Sequence, residues 1–199
     1  MFLERSINQA DGIGWIEVIC GSMFSGKTEE LIRRVKRAQL AKQKIKIFKP
    51  EKDLRYNKKK VTSHDKNSIK SKPVSKSSEI LKLSEKFEVV GIDEAQFFDE
   101  SIVGVCNELA NSGKRVIVAG LDMDYKGNPF GPMPNLMAIA EYVTKVHAVC
   151  SKSGKMASYT HRIVANEELI LLGDTKKYQA LSRKEFIKSN TRKKTRKKT

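Results

Sequence analysis

Residues 21–28 of the 199-residue chain read Gly-Ser-Met-Phe-Ser-Gly-Lys-Thr, a complete Gly-x-x-x-x-Gly-Lys-Thr spacing. Before them, Ile16-Glu-Val-Ile-Cys20 is a short β-rich run, and after them apolar residues recur at helical spacing from Leu31 to Ala38. A glycine loop between a strand and a helix lets backbone N–H groups close around phosphate oxygens at the positive end of the helix. The stretch therefore predicts a phosphate-binding loop formed by Gly21, Ser22, Met23, Phe24, Ser25, Gly26, Lys27 and Thr28.

Two residues of this loop have chemical roles in such a site. Lys27 is expected to reach the β- and γ-phosphates of ATP, and the hydroxyl of Thr28 is expected to ligate Mg²⁺. ATP and Mg²⁺ are therefore the expected cofactors. The alternative is an incidental glycine-rich turn between a strand and a helix, and the motif by itself names no reaction.

The pattern on either side of the loop predicts alternating strands and helices. Further strands are expected at residues 45–48, 87–92 and 116–119, and helices are expected to end near residue 43 and to span residues 101–112 and 135–143. Residues 51–73 are polar and lysine-rich, which predicts a mobile loop. This alternation predicts an α/β fold of the P-loop (RecA-like) type, with a parallel sheet flanked by helices on both faces.

The alternation breaks after about residue 149. Residues 157–163 and 169–172 suggest a small C-terminal β appendage, and the lysine- and arginine-rich end of the chain is expected to be disordered. The expected organisation is an N-terminal extension (1–13), a P-loop domain (14–148), a small domain (149–188) and a basic tail (189–199). His64 and His161 are expected to be surface residues without a role.

The net charge of +16 is confined to two segments. Residues 42–86 contain 15 Lys or Arg against 5 Asp or Glu, residues 189–199 contain 6 basic residues and no acid, and the charges of the remainder balance. This distribution is not that of a basic groove built into a fold. A nucleic-acid-binding P-loop ATPase that uses the basic loop and tail stays open as an alternative.

The composition also indicates a compartment. No stretch approaches the roughly 18–20 consecutive apolar residues of a membrane helix, and residues 1–15 include acids and no apolar secretory core. Cys20, Cys106 and Cys150 are widely spaced and odd in number, so no disulfide framework is indicated. A cytoplasmic protein with no membrane partner is expected.

A pair of acids, Asp93-Glu94, follows the predicted strand at 87–92. An acid at this position of a P-loop protein holds Mg²⁺, mostly through water, which is the role expected of Asp93. Glu94 is expected either to orient a water for ATP hydrolysis or to accept the proton of a substrate hydroxyl during phosphoryl transfer. The alternative for both is a pair of solvated acids at a strand end.

Several motifs, in one order from about residue 14 to residue 188, resemble those of the type II thymidine kinases, the group that includes the cytosolic human enzyme. They are Gly21–Thr28, Asp93-Glu-Ala-Gln-Phe-Phe98, Leu121-Asp122, Asn128-Pro-Phe-Gly131, Tyr159-Thr160-x-Arg162, and Leu169-x-Leu171-Leu172-Gly173 followed by Tyr178. The resemblance implies transfer of the γ-phosphate of ATP to the 5′-hydroxyl of thymidine, giving dTMP and ADP.

The resemblance also assigns roles around the phosphates. Glu94 matches the catalytic base that takes the proton of the thymidine 5′-hydroxyl, and Asp93 and Gln96 match residues around Mg·ATP. Asp53 and Arg55 match a short motif of a loop that approaches the phosphates. The alternative for Arg55 is one more exposed cation in a lysine-rich loop.

The nucleoside is expected to lie among apolar, aromatic and main-chain groups. Met23, Leu121, Tyr125 and Phe130 match walls around the thymine ring, which offers a π face and a methyl group to bury. Leu169 to Gly173 match a "lasso" that grips the nucleoside, and Tyr178 matches the tyrosine that closes it. The full substrate-binding set is Met23, Phe97, Leu121, Tyr125, Phe130, Thr160, Arg162, Leu169, Ile170, Leu171, Leu172, Gly173 and Tyr178.

The chain departs from the family pattern at the usual zinc site. The four positions that the family fills with cysteine read Cys150, Ser153, Ser182 and Glu185, so that Cys150 is the only retained cysteine. One thiolate and one carboxylate are too few for a structural zinc site, and no zinc is expected. Asp174 also replaces the second glycine of the lasso.

The resemblance further implies a homotetramer, feedback inhibition by dTTP, and no specific nucleic-acid partner. None of these is visible in the composition.

Overall fold

The computed structural model describes residues 12–51, 60–62, 68–164 and 176–196. Within these residues the strands are β1 (Trp15–Cys20), β2 (Ile45–Pro50), β3 (Lys60–Thr62), β4 (Ser68–Lys70), β5 (Lys72–Val74), β6 (Val89–Ile92), β7 (Arg115–Gly120), β8 (Tyr142–Lys145), β9 (Ala148–Val149), β10 (Met156–Ala157), β11 (Tyr159–Arg162) and β12 (Tyr178–Leu181). The helices are α1 (Lys27–Leu40), α2 (Glu79–Ser84), α3 (Ile102–Asn111), α4 (Met133–Ile139) and α5 (Arg183–Arg196).

A six-stranded sheet in the order β5-β2-β6-β7-β1-β8 forms the centre of the fold, and every pairing in it is parallel. Its central strands β1, β6 and β7 are buried along almost their whole length, as expected for a parallel sheet covered on both faces. The predicted parallel α/β architecture is therefore confirmed.

Alternate residues of each strand serve the two faces of the sheet. Ile19, Ile117 and Ala119 pack against the apolar side of α1, whose contributors include Leu31 and Val35. Val18, Val90 and Val118 belong to the larger core on the other face, which α2, α3 and α4 cover. The two cores hold the middle strands rigidly and leave their carboxyl ends free to carry a site.

Three neighbouring strands end at the same edge of the sheet. β1 leads into residues 21–28, β6 leads into the Asp93 segment, and β7 leads into the Leu121 segment. Because β6, β7 and β1 are adjacent in the sheet, these three segments meet above it.

Three expectations about elements were wrong in part. Residues 142–143 belong to the edge strand β8 and not to a helix, because α4 ends at Ile139 and the chain returns to pair with β1. The expected loop at 51–73 contains β3 and β4, which pair with each other, and begins β5, which joins the main sheet beside β2. The expected disordered tail is helical from residue 189 to Arg196, where α5 continues beyond its packed first turns.

The small C-terminal region has a core of its own. Ala148, Cys150, Ala157, Ala180, Leu181 and the stacked rings of Tyr159 and Phe186 form it, and Phe24 and Met123 of the larger region pack against it. His161 lies here with an exposed fraction of only 6%, its ring edge-on to Phe186, so the expectation of a surface histidine was wrong. His64 lies outside the described residues.

In the part of the chain that the structure describes, no helix has both the length and the apolar character needed to cross a bilayer.

Candidate active site

The loop at residues 21–28 has the backbone of a phosphate cradle. Gly21 has φ +146°, and a Cβ there would lie 2.2 Å from the carbonyl oxygen of Val146. Gly26 has φ +84° at the N-terminus of α1, and Phe24 between them is also left-handed, with φ +64°. The positions of Gly21 and Gly26 thus require glycine for two reasons. Their backbone conformations are ones that L-residues rarely adopt, and a side chain at either position would collide with a neighbouring atom.

Lys27 is held inside this loop. Its side chain is 9% exposed, and Nζ donates a hydrogen bond to the carbonyl oxygen of Ser22 at 2.7 Å. The hydroxyl of Ser25 donates to the same oxygen at 2.8 Å. The Ser22 hydroxyl is buried and has no hydrogen-bond partner among the described residues. A buried ammonium beside an unsatisfied hydroxyl, at a helix N-terminus, fits the oxygens of a polyphosphate.

The acidic pair lies directly after β6. Asp93 is 6% exposed, and its backbone N–H donates to the carbonyl oxygen of Phe48 at 3.0 Å, which continues the ladder with β2 by one residue. Glu94 is half-buried and left-handed, with φ 53° and ψ 41°, a conformation that costs a non-glycine residue about 1–2 kcal/mol. Such strain at a buried strand end is typical of functional positions.

The donors present fit a magnesium ion bound to a nucleotide. Thr28 is the second residue of α1 and half-buried, and Asp93 is a buried carboxylate at the same edge of the sheet. The described residues contain no group of three or more His, Cys, Asp or Glu arranged for a metal. Mg²⁺ ordinarily takes one or two protein groups and completes its shell with phosphates and water, so this pair is a sufficient protein contribution.

Gln96 joins the acidic pair to the next strand. Its side chain is 3% exposed, its Nε2 donates to Glu94 Oε2 at 2.5 Å, and its Oε1 accepts from the backbone N–H of Leu121 at 2.9 Å. The resemblance predicted Gln96 near Mg·ATP but indicated neither contact.

A cluster of apolar and aromatic side chains lies beside the loop. Met23, Leu121, Phe130 and Tyr178 are each 6–8% exposed, and Phe24, Phe97 and Tyr125 pack against them partly buried. The rings of Phe97 and Phe130 meet edge to face, 5.7 Å apart. The structure therefore brings together six of the predicted nucleoside-binding residues.

Arg162 closes the cluster from the small region. It is 1% exposed, its Nε and Nη2 donate to the Tyr178 hydroxyl at 3.1 and 2.8 Å, and its guanidinium lies 3.7 Å from the centre of the Tyr125 ring. Thr160, two residues earlier on β11, accepts a hydrogen bond from the backbone N–H of Met23 at 3.0 Å. The phosphate loop, the aromatic cluster and the small region are thus joined through Met23.

Asp122 is a buried acid to which the sequence reasoning gave no role. It is 4% exposed, Lys145 Nζ lies 2.7 Å from its Oδ2, and Oδ1 has no hydrogen-bond partner in the described part of the chain. Its position two residues after the apolar strand β7 was the signal available in the sequence.

Several predicted site residues lie outside the described residues. They are Asp53 and Arg55, and Leu169, Ile170, Leu171, Leu172 and Gly173. Asp174 lies outside them as well.

Cys150, the only retained cysteine of the family's zinc positions, accepts hydrogen bonds that stabilise the thiolate form. Burial of Cys150 raises the pKa of its thiol, but hydrogen bonds from the Ser153 hydroxyl and from the backbone N–H groups of Ser182, Lys152 and Ser153 outweigh it and lower the pKa from 9.0 to about 6.

Comparisons with known proteins cover most of the chain. A family model described as thymidine kinase matches residues 14–186. Thymidine kinases from Bacteroides thetaiotaomicron and Bacteroides fragilis are 56% and 58% identical over 189 and 183 residues, which cover 95% and 92% of both chains respectively. One from a Rhodothermus species is 53% identical over 180 residues, 90% of this chain and 84% of its own.

Proposed function

The chain belongs to the thymidine kinase family, and we propose that its candidate site is where the γ-phosphate of ATP passes to the 5′-hydroxyl of thymidine. The chain is an enzyme, a thymidine kinase that yields dTMP and ADP. The observation that carries the proposal for the site is the position of Met23. The backbone N–H of Met23 donates a hydrogen bond to the Thr160 hydroxyl, and the side chain of Met23 lines the aromatic cluster. Met23 therefore belongs both to the phosphate loop and to the proposed nucleoside pocket.

The phosphates belong against residues 21–28. Their backbone N–H groups and Lys27 neutralise the charge of the nucleotide, and Thr28 and Asp93 hold Mg²⁺, partly through water. Bound there, Mg²⁺ supplies positive charge to the transferring group. The hydrogen bond from Lys27 Nζ to the carbonyl oxygen of Ser22 supports this proposal, because it directs the ammonium group into the loop.

Glu94 is the proposed catalytic base. Its carboxylate accepts the proton of the 5′-hydroxyl while that oxygen attacks the γ-phosphorus, and the bond to the β-phosphate oxygen breaks. The neighbouring nucleoside cluster supports kinase chemistry over plain ATP hydrolysis, since a bound alcohol there excludes water from the carboxylate.

The thymine base fits the aromatic cluster. Phe97, Phe130 and Tyr125 offer faces and edges to a planar ring, and Met23 and Leu121 offer apolar surface to its methyl group. By the family resemblance, Leu169 to Gly173 are proposed to bind the nucleoside through main-chain groups and, with Tyr178, to exclude purines. The same resemblance proposes Asp53 and Arg55 as phosphate-binding residues; all of these residues except Tyr178 lie outside the described residues.

The small region is proposed to fold without zinc, with boundaries near residues 149 and 188. Its apolar core around Tyr159 and Phe186 supports this, and so do Ser153, Ser182 and Glu185, which fill the other three positions of the family's zinc site. Purified protein dialysed against a chelator is expected to keep its melting temperature, and stoichiometric zinc in the undialysed protein would contradict the proposal.

Assembly, regulation and compartment complete the proposal. The family resemblance supports a homotetramer and inhibition by dTTP, which presents a thymine and a triphosphate to the same two pockets. The three cysteines are all buried and free, which suits a cytoplasmic enzyme of nucleotide salvage.

One assay separates this function from the rival, a nucleic-acid-dependent ATPase. ADP release by the purified chain with Mg·ATP is measured against thymidine, deoxycytidine, deoxyadenosine, deoxyguanosine and single-stranded DNA. Release that requires thymidine is expected, and a chain lacking residues 189–199 is expected to keep it. Release that requires DNA, or none with thymidine, would overturn the proposal.

A further inference from the structure

The side chain of Gln96 bonds both the proposed base, Glu94, and the backbone of Leu121 in the wall of the proposed nucleoside pocket. Gln96 lies in the short 3₁₀ turn Ala95–Phe97, two residues beyond Glu94. Its other partner, Leu121, follows the neighbouring strand β7 and belongs to the apolar cluster. A single amide thus spans the ends of β6 and β7.

The orientation of this amide is fixed by chemistry. A backbone N–H can only donate, so the oxygen of the Gln96 amide must be the atom that faces Leu121 N. The nitrogen then faces Glu94 Oε2, and this NH₂ group can only donate to the carboxylate. The reversed amide would set two donors against each other at Leu121 and two acceptors against each other at Glu94.

The side chain of Gln96 is closely packed. Gln96 is 3% exposed, and its Oε1 lies 2.9 Å from where a Cβ on Gly120 would stand. Its carbonyl oxygen lies 2.5 Å from the corresponding point on Gly131. Both glycines therefore make room for the backbone and side chain of this residue.

We propose that Gln96 is a positioning residue, which fixes one oxygen of the Glu94 carboxylate so that the other faces the nucleoside hydroxyl. Glu94 needs such support, because its left-handed backbone is strained and persists only when surrounding contacts stabilise it. The amide also ties the base to the Leu121 wall, so a nucleoside that seats well against the wall meets a correctly aimed carboxylate. Catalysis by positioning requires this second layer of contacts.

This inference rests on the proposed role of Glu94. Positioning of Glu94 by Gln96 can be distinguished from binding of the nucleotide by Gln96. A residue that acts only through Glu94 has no effect once Glu94 can no longer accept a proton. A residue that holds nucleotide or the fold has the same effect with or without a working base.

A double-mutant cycle uses this difference. Gln96→Met keeps the length of the side chain and removes both hydrogen bonds, and it is expected to lower kcat at least about tenfold while the KM for ATP changes less than about twofold. In the Glu94→Gln background the same substitution is expected to change the residual kcat less than about twofold. Ile102→Val, a change in the core beside this turn, is the control and is expected to leave kcat unchanged.

Gln96→Asn guards against a simple folding defect. It keeps a polar amide but is one methylene shorter and cannot reach Glu94 and the Leu121 N–H together, so it is expected to retain the melting temperature within a few degrees and still lose kcat. Unchanged kcat in both Gln96 variants would overturn the inference, and so would equal losses in the two backgrounds. A nearly normal kcat in Glu94→Gln alone would instead overturn the role of Glu94, and with it this inference.

Discussion

At the scale of single residues, the least expected feature is a fully buried arginine among aromatic rings. Arg162 offers its planar face to Tyr125 and its N–H fork to the Tyr178 hydroxyl. A lysine cannot reproduce both contacts, because its ammonium is a point charge without a flat face. Arg162 therefore links Tyr125 and Tyr178, two walls of the proposed nucleoside pocket.

Arg162→Lys tests this role. It is expected to raise the KM for thymidine about tenfold or more, with kcat changed less than about threefold, since the walls shift but the base and phosphate loop do not. Arg183→Lys is a matched control, because Arg183 lies 5.0 Å from the Tyr159 ring outside the pocket. An unchanged KM in Arg162→Lys, measured by initial rates, would remove Arg162 from the pocket.

What the sequence could predict at this scale is set by spacing along the chain. Lys27, Asp93 and Glu94 follow strands at fixed intervals, so their place at the sheet edge was predictable. The bonds of Gln96 to Leu121 and of Arg162 to Tyr178 join residues 25 and 16 positions apart. Such contacts depend on which strands become neighbours, and the apolar pattern of a single strand does not contain that information.

At the scale of elements, two glycines show opposite uses of the same residue. Gly104 lies exposed inside α3, and nothing stands within 4 Å of a Cβ built there. Gly120 ends β7, and a Cβ there would lie 2.5 Å from Met133 Sδ and 2.9 Å from Gln96 Oε1. The first glycine only weakens a helix, whereas the second makes room for the site.

Alanine substitutions should therefore move stability in opposite directions. Gly104→Ala is expected to stabilise the fold by about 0.5–1 kcal/mol, because glycine loses more backbone entropy on folding. Gly120→Ala is expected to destabilise it by about 1–3 kcal/mol through overpacking and to lower kcat. Urea unfolding measures both, and a stabilising Gly120→Ala would contradict the close packing around Gln96.

Elements with a strong period were predictable, and those defined by their partners were not. The helical spacing of apolar residues predicts α1, and the continuous apolar run predicts β7. The residues of strand β8 are mostly exposed and show no regular alternation of apolar and polar side chains. They form a strand because their backbone pairs with β1. Strand β5 in the lysine-rich segment has the same origin, since it is three residues beside β2.

At the scale of the whole molecule, a buried ionic cluster ties the sheet to α1. Glu17 of β1 is 6% exposed, with Arg34 Nη1 of α1 at 2.7 Å and Arg115 Nε of β7 at 2.6 Å. Burial raises the pKa of Glu17, but the hydrogen bonds and charge of Arg115, with further hydrogen bonds from Trp15 and Arg34, outweigh it and lower the pKa below its usual 4.5.

Glu17→Gln is expected to cost about 3 kcal/mol at pH 7, because it removes the buried carboxylate that Arg115 and Arg34 share, although Arg34 keeps its ion pair with Glu30. A carboxyl whose pKa is lowered by folding stabilises the protein above its unfolded pKa and loses that contribution as the pH falls through the folded value. The difference between wild type and variant should therefore shrink below about pH 4.5. Glu108→Gln on the exposed side of α3 is the control, and equal costs at pH 7 would contradict the cluster's role.

The central claim is that Glu94, beside the phosphate loop, takes the proton of the thymidine hydroxyl. Glu94→Gln keeps the size and the backbone of this residue and removes the base. Turnover of thymidine is expected to fall at least about a hundredfold while the affinity for Mg·ATP, measured by calorimetry on the same protein, stays within about twofold. Turnover close to that of the wild type, with ATP bound normally, would contradict the account.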